Sequence, residues 1–194
     1  MIHLKTPEEI DVIARGGAII ADFLVEVRPR IRPGVSTLEL DGFADEFIRS
    51  HTGAVPAFKG LYGFSGSVCT SINEEVVHGI PKADRVLEDG DIISIDVGVK
   101  LDGWCSDSAW TFPVGEIDEK TRHLLEVTED ALDRAVSATV LAGFVGDIGA
   151  AVVTRVWVAE SNDMRDAERR LSSSENTSSN RTTGSLPVRA ATTL

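Results

Sequence analysis

Residues 91–112 read DIISIDVGVKLDGWCSDSAWTF, and this stretch decides the fold because its pattern is that of a β-hairpin. Apolar side chains occupy every second position, namely Ile93, Ile95, Val97 and Val99. The Asp102-Gly103 pair is the dipeptide most typical of a two-residue hairpin turn. The turn also sets the register, since Leu101 must then lie opposite Trp104.

In this register Asp96 faces Ala109, and Gly98 faces Asp107. The two aspartates therefore share one face of the sheet as diagonal neighbours, roughly 7–8 Å apart at the backbone. Because Gly98 and Ala109 are small, we expect an open pocket in which two like charges repel unless a cation lies between them. Hard divalent cations prefer such oxygen ligands. Taken by itself, the hairpin also fits an ordinary solvated sheet face.

The composition limits the classes of partner. The chain has 194 residues and a formal net charge of −12. All of this charge lies in residues 1–159, because residues 160–194 carry five basic and five acidic residues. An acidic body argues against direct nucleic-acid binding and against anionic membrane surfaces. Cys69 and Cys105 offer no disulfide framework, and the first residues are neither a signal nor a transit peptide. The sequence thus predicts a cytoplasmic protein.

Two capped helices precede the hairpin. Thr6 opens a capping box with proline at the first helical position, which predicts a helix to about Val27. Ser36 opens a second capped helix. The basic residues between them, Arg28, Arg30 and Arg32, are interpreted as a solvated linker; a binding patch is the alternative.

Two further helices are predicted after the hairpin. Asp118 can cap a third helix that ends near Gly143, and a fourth helix begins near Gly146. The predicted inner face of the third helix comprises Leu124, Leu125, Thr128, Ala131, Leu132, Ala135 and Val136.

The region from Pro56 to Pro81 is rich in glycine and serine and predicts loops around short strands. His78 lies there between an apolar pair and a Gly-Ile-Pro turn. A lone histidine in this setting fits a structural hydrogen-bonding role as well as a functional one.

Three spaced motifs carry a resemblance to a known family. They are VVHGIP at 76–81, DGDIISIDVG at 89–98 and GWCSD at 103–107. In this order they resemble the first half of the type I methionine aminopeptidases, over about residues 1–151. The resemblance implies an α/β (α+β) fold, half of the pita-bread aminopeptidase fold, in which helices cover an antiparallel sheet. It also implies two divalent metal ions (Co, Mn, Fe or Zn) and removal of the initiator methionine.

The resemblance further implies roles for single residues. Asp96 matches a ligand of the first metal, Asp107 matches the aspartate that bridges both metals, and His78 matches the catalytic histidine that contacts the scissile amide. Positions that line the methionine pocket in the family are matched by Tyr62, Phe64 and Cys69. The implied partners are the N-termini of nascent polypeptides, met at the ribosome, and the implied state is a monomer.

The chain departs from the family pattern after residue 152. The histidine ligand and the two glutamates of the family's second half are missing, and no histidine follows His123. We therefore expect residues 1–152 to be the N-terminal part of a catalytic domain, and residues 153–194 to be a divergent, disordered tail. A shifted reading frame or a misassembled gene would explain the switch, and a natural regulatory tail is the alternative.

Two function classes follow. One is a metallo-aminopeptidase encoded as an incomplete chain, inactive as written because it lacks the second-half ligands. The other is a non-catalytic peptide-binding module of the same fold. A proline-specific relative is disfavoured, because such proteins resemble this chain only behind an extra N-terminal domain.

Overall fold

A computed structural model describes residues 4–140 and 143–156. The chain divides into two compact units at residue 125. The first unit contains both N-terminal helices and the whole sheet. In the described parts of the chain, no helix is long and apolar enough to cross a membrane.

Both predicted N-terminal helices are confirmed. Helix α1 covers Pro7–Val27 and helix α2 covers Thr37–Ser50. Each begins at a complete capping box, with Thr6 and Ser36 as the capping residues. Such a box satisfies backbone N–H groups that the first helical turn leaves without partners, so each start is set by local sequence.

The sheet has four antiparallel strands: β1 (Ala54–Pro56), β2 (Val68–Ile72), β3 (Ile92–Leu101) and β4 (Trp104–Pro113). Strand β3 is central. It pairs with β1 and β2 along one side and with β4 along the other.

Helices α1 and α2 cover one face of this sheet, and the core lies between them. Its largest fully buried side chains include Phe23, Leu40, Ile48, Ile93, Ile95, Val97 and Val99. The alternating apolar positions of β3 therefore point to the helices, and the intervening positions point to the opposite face, as the period of two predicts. Asp96 and Asp107 lie on that opposite face.

The linker between α1 and α2 is held by aromatic rings. The Arg30 guanidinium lies 3.9 Å from the centroid of Phe43, and that of Arg28 lies 5.7 Å from Phe112. Both side chains stay exposed. These contacts fit the interpretation as a solvated linker, with the apolar stems packed on rings.

Helix α3 differs from its prediction in length and face. It covers Glu119–Ser137, so it ends six residues before Gly143. Of the predicted inner face, Ala131 and Ala135 are buried, whereas Leu124, Leu132 and Val136 are exposed. Val127, which was not predicted, is buried with them. The helix carries apolar residues on two adjoining stripes, and periodicity could not decide which stripe is covered.

The predicted fourth helix is confirmed over residues 145–156. The Phe144 N–H donates a hydrogen bond to the carboxylate of Asp147 at 2.9 Å, and this bond caps the first turn of the helix. Residues 153–156, the start of the expected disordered tail at 153–194, belong to this helix. Residues 157–194 of that tail lie outside the described residues.

Candidate metal centre

The hairpin register is confirmed. Strand β3 pairs with β4 so that Asp96 lies opposite Ala109, and Gly98 lies opposite Asp107. The backbone of the intervening turn has φ +48° at Asp102 and +89° at the glycine that follows it. A two-residue turn of this kind needs positive φ at both positions, which Asp-Gly tolerates. The turn therefore places both carboxylates on one face.

The two carboxyl groups interact directly. Asp96 is half-buried and Asp107 is exposed. Burial, the charge of Asp107 and a hydrogen bond between the two carboxyls together raise the pKa of Asp96 to about 6, while the charge of His78 opposes the rise. Two carboxylates this close repel each other when both are ionised, so a shared proton or a cation would stabilise the pair.

His78 lies close enough to this pair for its charge to act on Asp96. Its side chain is exposed, and its backbone is left-handed, with φ +62°. The next residue anchors it to the edge of β2. The N–H of Thr70 donates to the carbonyl of Gly79 at 2.8 Å, and the N–H of Gly79 donates to the Ser71 hydroxyl at 3.1 Å.

This anchor requires a glycine. A Cβ at Gly79 would lie 2.1 Å from the carbonyl oxygen of Thr70, which is backbone and cannot move aside. Glycine thus allows the chain to approach β2, and the approach fixes the segment that presents His78.

Cys69 lies beside the acid pair. It is buried on β2 and pairs directly with Asp96. Burial and the negative charges of Asp96, Asp107 and Asp41 together raise the pKa of its thiol to about 11. The thiol therefore stays protonated at neutral pH and lines the site as a small, weakly polar group.

Tyr62 and Phe64 lie in the loop before β2. The loop is closed by an N–H of Gly60 that donates to the carbonyl of Phe64 at 2.8 Å. Phe64 is half-buried, while Tyr62 is 101% exposed, with a left-handed backbone at φ +50°. The structure brings Cys69 and His78 to the acid pair, and it leaves the Tyr62 side chain in solvent.

The prediction of an open pocket beside the two aspartates is wrong on the side of Gly98. A Cβ at Gly98 would lie 2.6 Å from a ring carbon of Phe58 and 2.9 Å from the Cβ of Ala57. The space in front of Gly98 is therefore filled by Phe58, and only the side of Ala109 is exposed. Sequence reasoning missed this ring, although a glycine inside a strand is itself a sign of close approach.

A second missed residue holds the start of β2. Asp41 of α2 is buried, and one of its carboxylate oxygens accepts the N–H groups of Ser67 at 2.6 Å and Val68 at 3.0 Å. These bonds fix the chain next to Cys69. No local pattern marks Asp41, because its partners are 26 and 27 residues away.

The donor set fits a hard divalent cation as part of a site. Asp96 and Asp107 supply two converging carboxylates, the ligand type that such ions prefer. Within residues 4–140 and 143–156, no group of three or more His, Cys, Asp or Glu side chains is arranged to hold a metal ion. These two side chains could therefore supply only part of a coordination shell.

Comparison with known proteins agrees with this geometry. The model of metallopeptidase family M24 matches residues 11–171. Methionine aminopeptidase 1 of Bacillus subtilis (strain 168) is 49% identical over 156 residues, which are 80% of this chain and 62% of that protein. Methionine aminopeptidase 1 of Mycobacterium tuberculosis is 41% identical over 160 residues, covering 82% of this chain and 60% of that protein.

Solved structures show the same fold. The crystal structure of methionine aminopeptidase from Rickettsia prowazekii matches with a TM-score of 0.76 and 37% identity, covering 80% of this chain and 62% of that one. A prolidase from Pyrococcus furiosus matches with a TM-score of 0.70 at 23% identity, covering 79% of this chain and 43% of that one, which shows the fold alone.

The chain thus spans about three-fifths of the length of the methionine aminopeptidases that it matches. The antiparallel sheet covered by helices agrees with the pita-bread fold expected from the sequence. Since the family model covers most of the chain and the relatives share up to 49% of its residues, the chain belongs to metallopeptidase family M24.

Proposed function

We propose that residues 1–152 are the N-terminal part of a methionine aminopeptidase catalytic domain, which removes the initiator methionine from nascent polypeptides in the cytoplasm. The supporting observation is the convergence of Asp96 and Asp107 on one face, beside His78, in a chain of the M24 family.

In this proposal Asp96 and Asp107 would be metal ligands, and Asp107 would be the ligand shared by two divalent ions. Such ions would polarise the scissile carbonyl and lower the pKa of water at the site. The metal is one of Co, Mn, Fe or Zn.

His78 is proposed to contact the scissile amide as a hydrogen-bond donor. Its exposed side chain and its anchored backbone suit a group that meets a substrate from outside. A donor placed where charge develops is more effective when its position is fixed before the reaction. Cys69, Phe64 and Tyr62 are proposed to line the methionine pocket.

A chimera tests these roles. Residues 1–150 would be joined to the remaining part of the Bacillus subtilis relative, and release of methionine from a Met-Ala-Ser peptide would be measured. His78→Ala should lower kcat and keep the metal content, because His78 is no ligand in this proposal. Asp107→Asn should lower the metal content itself. Loss of metal in His78→Ala, or full activity in Asp107→Asn, would overturn the assigned roles.

The chain as given is proposed to be inactive by itself. Two carboxylates bind a metal weakly, and residues 153–194 are proposed to be a divergent segment that supplies no further ligand. Residues 1–194 should release no methionine from the same peptide with Mn²⁺, Co²⁺ or Fe²⁺ above the metal-only blank. Sustained turnover would contradict this.

The alternative is a non-catalytic peptide-binding module. It is favoured by the small number of ligands among the described residues. The two proposals differ in their metal dependence: a binding module should bind a methionine-initiated peptide equally well in EDTA and with Asp107→Asn, whereas a part of a metalloenzyme should not.

A further inference from the structure

One face of helix α2 carries three polar residues. Thr37, Asp41 and Asp45 follow one another at intervals of four, so their side chains lie along the same side of the helix. Thr37 and Asp41 are buried, and Asp45 is half-buried. Buried polar groups normally have hydrogen-bond partners within the protein, and the partners of these three lie in the segments that carry the proposed substrate contacts.

Asp45 connects the two ends of the loop before β2, residues 59–67, which we call the pocket loop. Its Oδ1 atom accepts hydrogen bonds from the ammonium group of Lys59 at 3.0 Å and from the hydroxyl of Ser67 at 2.8 Å. Lys59 begins the pocket loop, and Ser67 ends it. Tyr62 and Phe64 lie between them. Because both ends are held at one atom, the loop has fewer conformations open to it.

Thr37 holds the segment that follows His78. Its hydroxyl group donates to the carbonyl of Lys82 at 3.1 Å and accepts the N–H of the same residue at 2.9 Å. One side chain thus satisfies both backbone groups of a residue four positions after the histidine. Pro81 lies between them, and its ring fixes one backbone dihedral of the connection. The link from Thr37 to His78 is therefore short, and it adds to the anchor of Gly79 on β2.

Asp41 lies between these two contacts on the helix. Its Oδ1 atom accepts the N–H groups of Ser67 and Val68. A Cβ at Gly66 would lie 3.1 Å from this oxygen and 3.0 Å from two ring carbons of Pro81. The end of the pocket loop and the segment after the histidine therefore pack together on the same face of α2.

The three contacts connect one rigid element to both proposed substrate contacts. A helix that packs on a core keeps its side chains at fixed spacing, and a small displacement of a group that meets the substrate lowers turnover strongly. We propose that this face of α2 positions the substrate site, with Asp45 holding the pocket loop and Thr37 holding His78. Both are positioning residues, because each acts through another residue.

A purely structural role is the alternative. It would lower the stability of the whole fold, so changes at Asp45 and at Thr37 would have the same kind of effect. The positioning roles predict separate effects, on the pocket loop for Asp45 and on His78 for Thr37. The inference rests on the proposed function, which supplies the roles of His78 and of the pocket loop.

The first experiment examines residues 1–194 by NMR and needs no activity. Tyr62 is the single tyrosine of the chain, so ¹⁵N-tyrosine labelling gives one backbone amide signal from the pocket loop. With ¹⁵N-histidine, the signal of His78 is one of four and is identified by its loss in His78→Ala. Asp45→Ala should shift the Tyr62 signal and leave that of His78 in place. Thr37→Val should do the reverse, whereas Thr37→Ser keeps the hydroxyl and should shift neither.

Lys59→Met and Arg49→Met are a matched pair of variants. Each removes an ion pair of 3.0 Å with Asp45, and both basic side chains are nearly half exposed. Lys59 reaches Asp45 from the pocket loop, whereas Arg49 reaches it from α2 itself. Lys59→Met should therefore shift the Tyr62 signal, and Arg49→Met should leave it in place. Because both residues are at the surface, this test does not depend on a variant with a disturbed core.

The second experiment measures methionine release by the chimera described above. Asp45→Ala should raise KM roughly tenfold and keep kcat, because the pocket loop is proposed to contact the methionine side chain. Thr37→Val should lower kcat roughly tenfold and keep KM, because the proposed hydrogen-bond donor is displaced from the scissile amide. Thr37→Ser should restore kcat.

The outcomes separate this inference from the proposed function. The expected signal shifts together with an inactive wild-type chimera would overturn the proposed function and support the positioning of the two segments. An active chimera, with no shift of the Tyr62 signal in Lys59→Met and an unchanged KM in Asp45→Ala, would overturn the inference and support the function. Equal losses of kcat in Asp45→Ala and Thr37→Val, in proportion to their loss of folded protein, would also overturn the inference.

Discussion

Two pairs of aspartates in this chain have opposite environments. Asp41 and Asp45 lie one turn apart on α2, and Asp96 and Asp107 lie on neighbouring strands of the hairpin. Both pairs place two carboxyl groups near each other at or below the surface. The two pairs differ in the hydrogen-bond donors around their carboxylate oxygens. This difference distinguishes a carboxylate with a structural role from one that is proposed to bind a metal.

The pair on α2 is fully supplied with donors. Asp41 accepts two backbone N–H groups, and Asp45 accepts the side chains of Arg49, Lys59 and Ser67. Burial by itself would raise the pKa of Asp45, but the bonds from Lys59, Arg49 and Ser67 outweigh it and lower that pKa to about 2. Asp45 therefore stays ionised at neutral pH, and both side chains hold the loop that leads into β2.

Within the part of the chain that the structure describes, no backbone N–H or cationic side chain forms a hydrogen bond to the hairpin pair. Burial and the neighbouring Asp107 raise the pKa of Asp96 to about 6, and His78 offsets only part of the rise. Natural proteins keep such uncompensated charge mainly at functional sites, so the contrast supports the hairpin pair as the metal-binding one.

The largest effect is expected from Asp41→Ala. It would leave the buried N–H groups of Ser67 and Val68 without an acceptor, and bonds to a charged group are the costlier ones to lose. We expect a loss of about 3 kcal/mol in the free energy of unfolding, measured by urea denaturation.

The matched control is Asp41→Asn. Both N–H groups donate to one oxygen, Oδ1, and asparagine can present an equivalent oxygen. The control should therefore lose clearly less stability than Asp41→Ala. Equal losses of stability in Asp41→Ala and Asp41→Asn would show that the negative charge of Asp41, and not its acceptor oxygen, stabilises the fold.

The comparison also shows what sequence could predict. The hairpin register was predicted to the residue because the Asp102-Gly103 turn and the alternation are local, and they place Asp96 and Asp107 on one face without knowledge of the rest of the fold. Both capping boxes were predicted for the same reason.

The features that sequence did not predict depend on distant contacts. Asp41 bonds residues 26 and 27 positions away, and Phe58 packs on Gly98 through a loop whose path has no periodic pattern. The burial of Val127 on α3 and the exposure of Leu124, Leu132 and Val136 were also missed, since they depend on which neighbours cover the helix. Local patterns predict elements and registers, whereas close approaches need the whole fold.

Gly98→Ala tests the ring that closes one side of the acid pair. The new Cβ would lie 2.6 Å from Phe58, so the ring must move or the strand must shift. Overpacking of this kind typically costs about 2 kcal/mol, which thermal denaturation would detect.

A double-mutant cycle with Phe58→Ala provides the control. Once the ring is gone, the added methyl group should cost less, although the Cβ of Ala57 at 2.9 Å remains. The same cost in both backgrounds would mean that Phe58 is not what fills this space.

Asp96→Asn should stabilise the metal-free chain at neutral pH. The folded-state pKa of Asp96 is about 6 against an ordinary value of 3.8, so the folded state disfavours the ionised group. Wild-type stability therefore falls as pH rises from about 4 through 6, and asparagine avoids this loss. After allowance for solvent screening, we expect a gain of about 1 kcal/mol above pH 7 that disappears below pH 4.

Asp102→Asn is the matched control, because it removes a charge from the same hairpin away from the pair. Asp102 lies at the turn, 3.6 Å from the Arg15 guanidinium, and both side chains are more than half exposed. It should show no gain that grows with pH. If Asp96→Asn stabilises the chain no more than Asp102→Asn does at pH 7, the repulsion between Asp96 and Asp107 does not limit the stability of the chain.

The smallest effect is expected from Asp45→Asn, and its pH dependence should have the opposite sign. The folded-state pKa of Asp45, about 2, lies below the ordinary 3.8, so the folded state favours the ionised group. Its stabilising contribution is present above about pH 4 and is lost as pH falls towards 2. Because Lys59 and Arg49 are nearly half exposed, we expect a loss of only about 0.5 kcal/mol at pH 7.

Thermal denaturation of Asp96→Asn and Asp45→Asn from pH 3 to 8 would compare the two aspartate pairs directly. The curve of Asp96→Asn should rise above wild type with increasing pH, and the curve of Asp45→Asn should fall below it. Curves of the same sign would mean that the two aspartate pairs do not differ in compensation, and the assignment of one as structural and the other as metal-binding would lose its electrostatic basis.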